Sequence, residues 1–400
     1  MQKIILPNGL TVIYERQQGN AAIIQLMVKV GSNHESPKER GISHLLEHLL
    51  FEGTKKRPDN QIISNEIEKL GGDFNAYTTN ERTSYYVKVL KKHTPKAMDI
   101  LQDIFQNSLF KPEHIAKEKT IVLKETDLVN DEPSYYQWLL FQKTMFKSHP
   151  AGYPTYGDKK VVKNLSREEI LAYFNNWYIP KNMVLCIVGD IPNWKSLAQK
   201  YFTFSPGKSI QQPKWKEPVK RKAVLKTEKR KTVNTYLIQG YLSVPQNHSD
   251  AYVLEVIHGI LGRGQSGRMF TEIRGKRALA YDVGTQHVAE RTFGYFAVYA
   301  TIAKNNLSLV RKLMNKELTK LQEVTLQDVK ESQTFLEGNY LLELEDGQKR
   351  ADQLLFWEQI KEANLLNNYV KKVKKVTPAD VKRIAKKYFK NPTTIVVAGK

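Results

Sequence analysis

Cysteine is nearly absent from this sequence: the only one is Cys186, in 400 residues. A single cysteine excludes an intrachain disulfide and favours a reducing compartment, so we expect a cytoplasmic protein. No apolar run approaches the roughly 20 residues that a membrane-spanning helix needs. The first residues also lack the basic, apolar and small-residue order of a secretory signal. We therefore expect a globular protein with no membrane partner, long enough for two or three domains.

Acidic residues are also scarce, with 41 of them against 62 lysines and arginines, which gives a net charge of +21. Such a balance raises the possibility of nucleic-acid binding. No recognised nucleic-acid-binding motif accompanies the charge, and the basic residues are spread along the whole chain. The alternative, a solvated lysine-rich surface, is therefore favoured, and we expect no nucleic-acid partner.

The periodic pattern of the chain is interrupted near its middle by a basic run at 214–231, with several prolines and a glycine beside it. Prolines and glycines clustered between periodic segments are typical of a boundary. The sequence predicts a first domain at 1–205, a linker at 206–231 and a second domain at 232–400.

The two predicted domains resemble each other. Residues 165–190 and 376–400 each begin with a capping box, run through a helical pattern, break at a proline and end in a β-branched strand. The capping boxes pair Ser166 with Glu169 and Thr377 with Asp380. A repeat of about 200 residues indicates a duplicated domain, since the units of solenoid proteins are several-fold shorter. Strand patterns such as 21–31 alternate with longer helical ones, and 73–90 has the pattern of a hairpin. This predicts two α+β domains, each a mostly antiparallel sheet covered by helices.

The segment GISHLLEHLLFEG, residues 41–53, carries the pattern with chemical content. On a helix, His44, Glu47 and His48 project from one face, since positions i, i+3 and i+4 are neighbours. Two imidazoles one turn apart can bind one zinc ion, and the carboxylate beside them can deprotonate a zinc-bound water. Catalytic zinc needs a third protein ligand. The helical pattern at 112–131 offers two glutamates on one face, Glu118 and Glu125.

The duplication provides an internal comparison for this motif. Aligning Gly53 with Gly262 puts His44, Glu47 and His48 opposite apolar residues, namely Val253, Val256 and Ile257. A buried polar trio costs stability unless it is satisfied. Its presence in one copy alone therefore favours a functional role over a chance match on a surface helix.

Several longer segments resemble blocks of the pitrilysin/insulinase family of inverted zincins, whose signature is H-x-x-E-H. They include ERGISHLLEHLLFEGT, LGGDFNAYTTNERTSYY, EKTIVLKETDLVNDEP and LGRGQSGRMFTEIRGKRALAY, in family order. The resemblance implies that one zinc ion per chain is held by His44, His48 and Glu125, with Glu118 supporting the site.

The resemblance also implies roles for residues outside the zinc motif. Arg274 would hold a substrate carbonyl and Tyr281 would donate to the oxyanion of the tetrahedral intermediate. Asn75 and Ala76 would lie on an edge strand to which an extended substrate adds by main-chain hydrogen bonds. Ala278 stands where the family commonly has glycine, which would stiffen the turn that presents Tyr281.

The family's active chamber is a clamshell of four such domains, of which this chain supplies two. In the family, the arginine and tyrosine reach the zinc from the opposite half of the shell. Because this chain carries both motifs, the resemblance implies a homodimer with two equivalent sites.

Together these features predict a zinc metalloendopeptidase that cleaves unfolded peptides or small proteins inside a closed chamber, with Glu47 as the general base. The alternative is a catalytically inactive scaffold or assembly subunit of the same fold. That alternative predicts a degraded motif, whereas all four residues of the zinc motif are present.

Overall fold

The computed structural model describes residues 1–208, 210–215 and 222–399. By its internal contacts the chain divides into two compact units. Unit 1 consists of 1–127, 153–214 and 343–364, and unit 2 consists of 128–152, 215–342 and 365–400.

Each unit contains one twisted sheet. The strands of unit 1 are β1 (Gln2–Ile5), β2 (Thr11–Glu15), β3 (Ala21–Val28), β4 (Asp73–Thr78), β5 (Thr83–Leu90) and β6 (Met183–Gly189). Those of unit 2 are β7 (Val224–Arg230), β8 (Thr235–Leu242), β9 (Ala280–Ala289), β10 (Gly294–Ile302) and β11 (Thr393–Gly399).

The helices cover these sheets. The first seven are α1 (Ile42–Leu49), α2 (Asn60–Glu68), α3 (Thr94–Gln106), α4 (Pro112–Asp131), α5 (Pro133–Met145), α6 (Lys159–Asn164) and α7 (Arg167–Trp177). The others are α8 (Trp194–Tyr201), α9 (Asp250–Gly262), α10 (Leu307–Thr319), α11 (Leu326–Glu343), α12 (Gly347–Ile360), α13 (Tyr369–Val373) and α14 (Pro378–Tyr388). No helix in the described ranges is both long and apolar enough to cross a membrane.

The two sheets have matching topologies. The first has the order β1-β2-β6-β3-β5-β4 and the second β7-β11-β8-β10-β9. In each, one pair is parallel, β2 with β6 and β7 with β11, and the remaining pairs are antiparallel. Both predicted capping boxes are present, at the start of α7 and of α14. The predicted fold class, two homologous α+β domains with mostly antiparallel sheets, is therefore confirmed.

The units differ from the predicted domains in two exchanged segments. Helix α5, from the first half of the sequence, packs on β8 and β11 of the second sheet. Helix α12, from the second half, packs on β3 and β6 of the first. The central strands β3, β6 and β8 are buried along almost their whole length, and a sheet that is buried on both faces needs helices on both. The sequence pattern reveals that a cover is needed but not which distant helix supplies it.

The predicted linker, 206–231, is also partly strand. Its residues 216–221 and Ser209 lie outside the described residues, but Val224–Arg230 forms β7, which pairs with β11. Side chains along β7 alternate between half-buried and exposed. Because β7 is an edge strand, its basic side chains can point into solvent without breaking the pairing.

A buried ion cluster holds the segment that follows α1. Arg57, whose side chain is 1% exposed, pairs with Glu66 at 2.5 Å, Asp103 at 2.6 Å and Asp99. Asp103 also accepts a hydrogen bond from Thr54 Oγ1 at 2.6 Å. The cluster thereby connects the end of the α1 segment to α3.

We expect Arg57→Met to lower the free energy of unfolding by about 3–5 kcal/mol, because it leaves the buried carboxylate of Asp103 without its cation. Lys56→Met is the matched control, since Lys56 also pairs with Asp99 but is exposed. Its loss should cost no more than about 1 kcal/mol. Urea denaturation followed by circular dichroism measures both, and equal losses for the two variants would contradict this account of the cluster.

Candidate metal centre

Helix α1 is positioned by its apolar face and by a buried carboxylate at its start. Ile42, Leu45 and Leu46 are fully buried in the core of unit 1. Glu35 accepts hydrogen bonds from the backbone N–H groups of Gly41 and Ser43, at 2.9 and 3.0 Å. Burial raises the pKa of Glu35 to about 7, although these hydrogen bonds oppose the shift. The free N–H groups at the helix start are thus satisfied without solvent.

Gly41 is required at the start of α1. Its φ of 100° lies in the left-handed region, and a Cβ there would come within 2.6 Å of the carbonyl oxygen of Tyr156. A larger residue would displace the helix that carries the histidines.

Three candidate ligand atoms converge between α1 and α4. The Nε2 atoms of His44 and His48 lie 3.8 and 3.6 Å from Glu125 Oε2. These separations are too long for hydrogen bonds. They are close to the about 3.4 Å expected between two ligands of one tetrahedral ion with bonds of 2.0–2.1 Å. Within the described residues, this is the one group of three such side chains whose ligand atoms all lie within 4.8 Å of one another. The donor set therefore fits a zinc ion.

The orientation of His48 is set by Glu118. Its Nδ1 lies 3.0 Å from Glu118 Oε2, so the Nδ1 proton is donated to this carboxylate and Nε2 is left to face Glu125. Burial favours the protonated acid, but the hydrogen bond with His48 and the nearby Lys117 ammonium lower the pKa of Glu118. A second carboxylate behind a metal-binding imidazole is the usual arrangement for fixing its tautomer.

The two imidazoles have different proton affinities. Burial, with a smaller effect of His48, lowers the pKa of His44 to about 4, so this ring is neutral at pH 7. For His48, burial acts in the same direction, but the neighbouring carboxylates outweigh it and raise the pKa. An imidazole binds a divalent cation in its neutral form, so binding of an ion would oppose this rise in the pKa of His48.

The Glu47 carboxylate forms its side-chain hydrogen bond with the edge strand β4. Its Oε2 accepts a hydrogen bond of 2.6 Å from Thr78 Oγ1. Burial raises the pKa of Glu47, although the Thr78 hydroxyl opposes the shift. A carboxylate held beside the candidate ligand atoms can act as a proton acceptor and donor.

Strand β4 carries Asn75 and Ala76 and pairs with β5. Its other edge pairs with no strand in the part of the chain that the structure describes. On the face opposite Thr78, the hydroxyl of Tyr77 donates a hydrogen bond of 2.6 Å to Asp352 on α12. The strand is thus held from both faces while its outer edge stays open.

Two of these supporting residues were not anticipated from the sequence. Side chains alternate between the two faces of a strand, so the sequence predicts that Thr78 and Ala76 share one face of β4. This alternation was a usable signal for Thr78. Asp352 has no such signal, because it lies 275 residues from Tyr77.

The remaining predicted site residues lie in unit 2. Arg274 is exposed in a π-helical turn, Phe270–Gly275, and Tyr281 is 66% exposed near the start of β9. Between them, Ala278 has a φ of 49°. A left-handed conformation costs an alanine roughly 1–2 kcal/mol. A glycine at this position would avoid that conformational cost, whereas Ala278 retains it.

Residues 11–159 match the family model for insulinase (peptidase family M16), and residues 164–336 match that for the peptidase M16 inactive domain. An uncharacterized zinc protease of Rickettsia felis is 32% identical over 98% of this chain and 96% of its own. The mitochondrial-processing peptidase subunit beta of Dictyostelium discoideum is 30% identical over 74% of this chain and 64% of its own.

Among solved structures, a protease from Helicobacter pylori superposes with a TM-score of 0.94. It is 23% identical, and the match covers 99% of this chain and 98% of that one. At this identity the likeness shows a shared fold.

We expect Glu118→Gln to weaken zinc binding by about 10- to 100-fold, because the amide no longer holds the Nδ1 proton of His48 as a charged acceptor. Glu113→Gln, an exposed change on the same helix, should leave the affinity unchanged. Competition with a chromogenic zinc chelator measures both affinities without any activity assay. An unchanged affinity in Glu118→Gln would show that His48 is oriented by something else.

Proposed function

The chain belongs to the insulinase family, peptidase family M16, and we propose that it is a zinc-dependent endopeptidase acting on unfolded peptides or small proteins. The observation that carries the proposal is the convergence of His44 Nε2, His48 Nε2 and Glu125 Oε2 beside the carboxylate of Glu47. Zinc held there would supply a Lewis acid that polarises the substrate carbonyl and makes water more acidic.

Glu47 moves the proton in this proposal. Its carboxylate accepts a proton from the water that attacks the scissile carbonyl carbon, and then delivers that proton to the amine that leaves. The hydrogen bond from Thr78 keeps the carboxylate aligned with β4 during both transfers. Tyr281 donates from its hydroxyl to the developing oxyanion, and Arg274 holds a substrate carbonyl.

Strand β4 presents the substrate. Its open edge can pair with an extended peptide through main-chain hydrogen bonds, which recognise backbone shape more than side chains. Thr78 belongs to the same strand and contacts Glu47, so a peptide that pairs with Asn75 and Ala76 would run past the base. This favours unfolded substrates over folded ones.

An inactive scaffold on this fold is the weaker alternative, because unit 1 retains the whole donor set and its supporting carboxylate. The loss of polar residues is confined to α9, where Val253, Val256 and Ile257 are buried in unit 2. We propose a cytoplasmic location because the sole cysteine, Cys186, is a free thiol.

We also propose that two copies form the closed chamber as a homodimer. The support is that one chain carries both motifs, the zinc-binding residues in unit 1 and Arg274 and Tyr281 in unit 2. A symmetric pair would then contain two equivalent sites.

We expect Glu47→Gln to reduce cleavage of quenched fluorescent peptides by about 10²- to 10⁴-fold, because the proton acceptor is lost. Its zinc content should stay at one ion per chain. His48→Ala should lose both zinc and cleavage, whereas Glu68→Gln, an exposed change on α2, should keep both. Elemental analysis and a fluorescence assay give the two readouts. Normal cleavage by Glu47→Gln would refute the proposed mechanism.

The homodimer can be tested by complementation. One variant carries Glu47→Gln, and the other carries Arg274→Ala together with Tyr281→Phe. If sites are completed in trans, the mixed dimer has one intact site and one with both defects. Co-expressed, differently tagged and purified as a mixed dimer, it should recover about half of the wild-type activity.

If each chain completes its own site, the mixed dimer stays as inactive as its parents. Light scattering on the wild type provides the control, and an active monomer would also defeat the proposal.

A further inference from the structure

The carboxylate of Glu118 has two neighbours, one at each oxygen. Its Oε2 lies 3.0 Å from His48 Nδ1, and its Oε1 lies 3.3 Å from the ammonium nitrogen of Lys117. The Glu118 side chain is only 5% exposed, so water offers it little alternative. A carboxylate binds a charged donor more strongly than a neutral one. The Lys117 ammonium is therefore a competitor of the neutral His48 imidazole for this carboxylate.

The competing ammonium is already bound by a second carboxylate, that of Glu52. Both oxygens of Glu52 accept hydrogen bonds of 2.9 Å from Lys117 Nζ. The ammonium thus lies closer to Glu52 than to Glu118, which it approaches to 3.3 Å. Burial disfavours the charged form, but the carboxylates of Glu52 and Glu118 outweigh it and raise the pKa of Lys117. The lysine is therefore a cation whose charge is shared unequally between two carboxylates.

Glu52 is the fixed partner of this pair and Lys117 is the movable one. The Oε1 atom of Glu52 also accepts a hydrogen bond of 2.9 Å from Asn60 Nδ2, at the first residue of α2. Its backbone N–H donates to the carbonyl oxygen of Leu49, the last residue of α1. The Glu52 side chain is 9% exposed, whereas that of Lys117 is 49% exposed on a flexible stem. Without Glu52, the ammonium would be free to move onto Glu118.

We propose that Glu52 is a positioning residue of the candidate metal centre: by binding the Lys117 ammonium, it keeps the Glu118 carboxylate available to His48. The inference rests on the zinc site of the proposed function and adds a residue to it. Glu52 acts through Lys117 and Glu118, along a series of contacts that begins at α2 and ends at the imidazole on α1.

The proposal predicts different effects for the two members of the ion pair. Glu52→Gln should weaken zinc binding about three- to tenfold, because the released ammonium draws Glu118 away from His48 and leaves an unpaired positive charge nearby. Lys117→Met should bind zinc at least as tightly as the wild type, since the competitor is absent. The double variant, Glu52→Gln with Lys117→Met, should recover wild-type affinity. Competition with a chromogenic zinc chelator measures all three affinities.

The same variants exclude a purely structural role. If the pair served only to join α4 to the segment after α1, either single substitution would weaken zinc binding and the double variant would be no better. Glu68→Gln, an exposed charge-matched change on α2, should leave the affinity unchanged. Equal weakening in Lys117→Met, no recovery in the double variant, or unchanged affinity in Glu52→Gln would each overturn the proposal.

A second measurement needs no zinc. In a ¹H–¹⁵N spectrum of the histidine rings of the zinc-free, full-length protein, the His48 Nδ1 signal is assigned by its absence in His48→Gln. We expect Glu52→Gln to shift this signal and the double variant to return it to its wild-type position. If the wild type takes up no zinc but this pattern is observed, the proposed function fails and the positioning role of Glu52 stands. If zinc binds and the pattern is absent, the positioning role alone is refuted.

Discussion

The hydrogen bond between His48 Nδ1 and Glu118 is the interaction on which the geometry of the candidate metal centre depends. It fixes one imidazole tautomer and thereby decides which nitrogen faces Glu125. It also joins α1 to α4, because Glu118 and Glu125 are two turns apart on the same helix. A single buried carboxylate thus sets the position of His48 and of the helix that carries Glu125, so the three candidate ligand atoms lie close together.

The rest of unit 1 limits how far this centre can move. Strand β4 is tied to Glu47 on one face through Thr78 and to α12 on the other through Tyr77 and Asp352. Asp352 also accepts a hydrogen bond of 2.6 Å from Gln25 on β3, so α12 connects the edge strand to the centre of the sheet. An edge strand has half of its backbone groups unpaired, and these groups can pair with another chain. These ties leave its outer edge open for pairing while its side chains stay fixed.

The features that could be predicted from sequence were those encoded within about 20 residues. These features are local patterns of period or spacing. They are the polar trio on α1, the helix with Glu118 and Glu125, the hairpin at 73–90 and both capping boxes. The contacts of Asp352 and the exchange of α5 and α12 depend on which distant segments bury the same sheet, and no local pattern encodes that choice. The predicted linker at 206–231 contains the edge strand β7, because the charged residues of 224–230 mask the alternation that identifies such a strand.

Duplication left matched places in the two units with different contents. In unit 1, the face of the sheet under α12 is closed near its edge strand, because the Asp352 carboxylate of the helix accepts from Tyr77 of the strand. In unit 2, the corresponding face under α5 has the carboxylate on the edge strand, as Asp282, and rings on the helix and β10. Among the described residues no tyrosine hydroxyl donates a hydrogen bond to that carboxylate, and a cavity remains beside it. The Tyr77–Asp352 hydrogen bond ties the edge strand of unit 1 to the helix that covers its sheet. The same fold therefore carries a chemically different edge strand in each of its two copies.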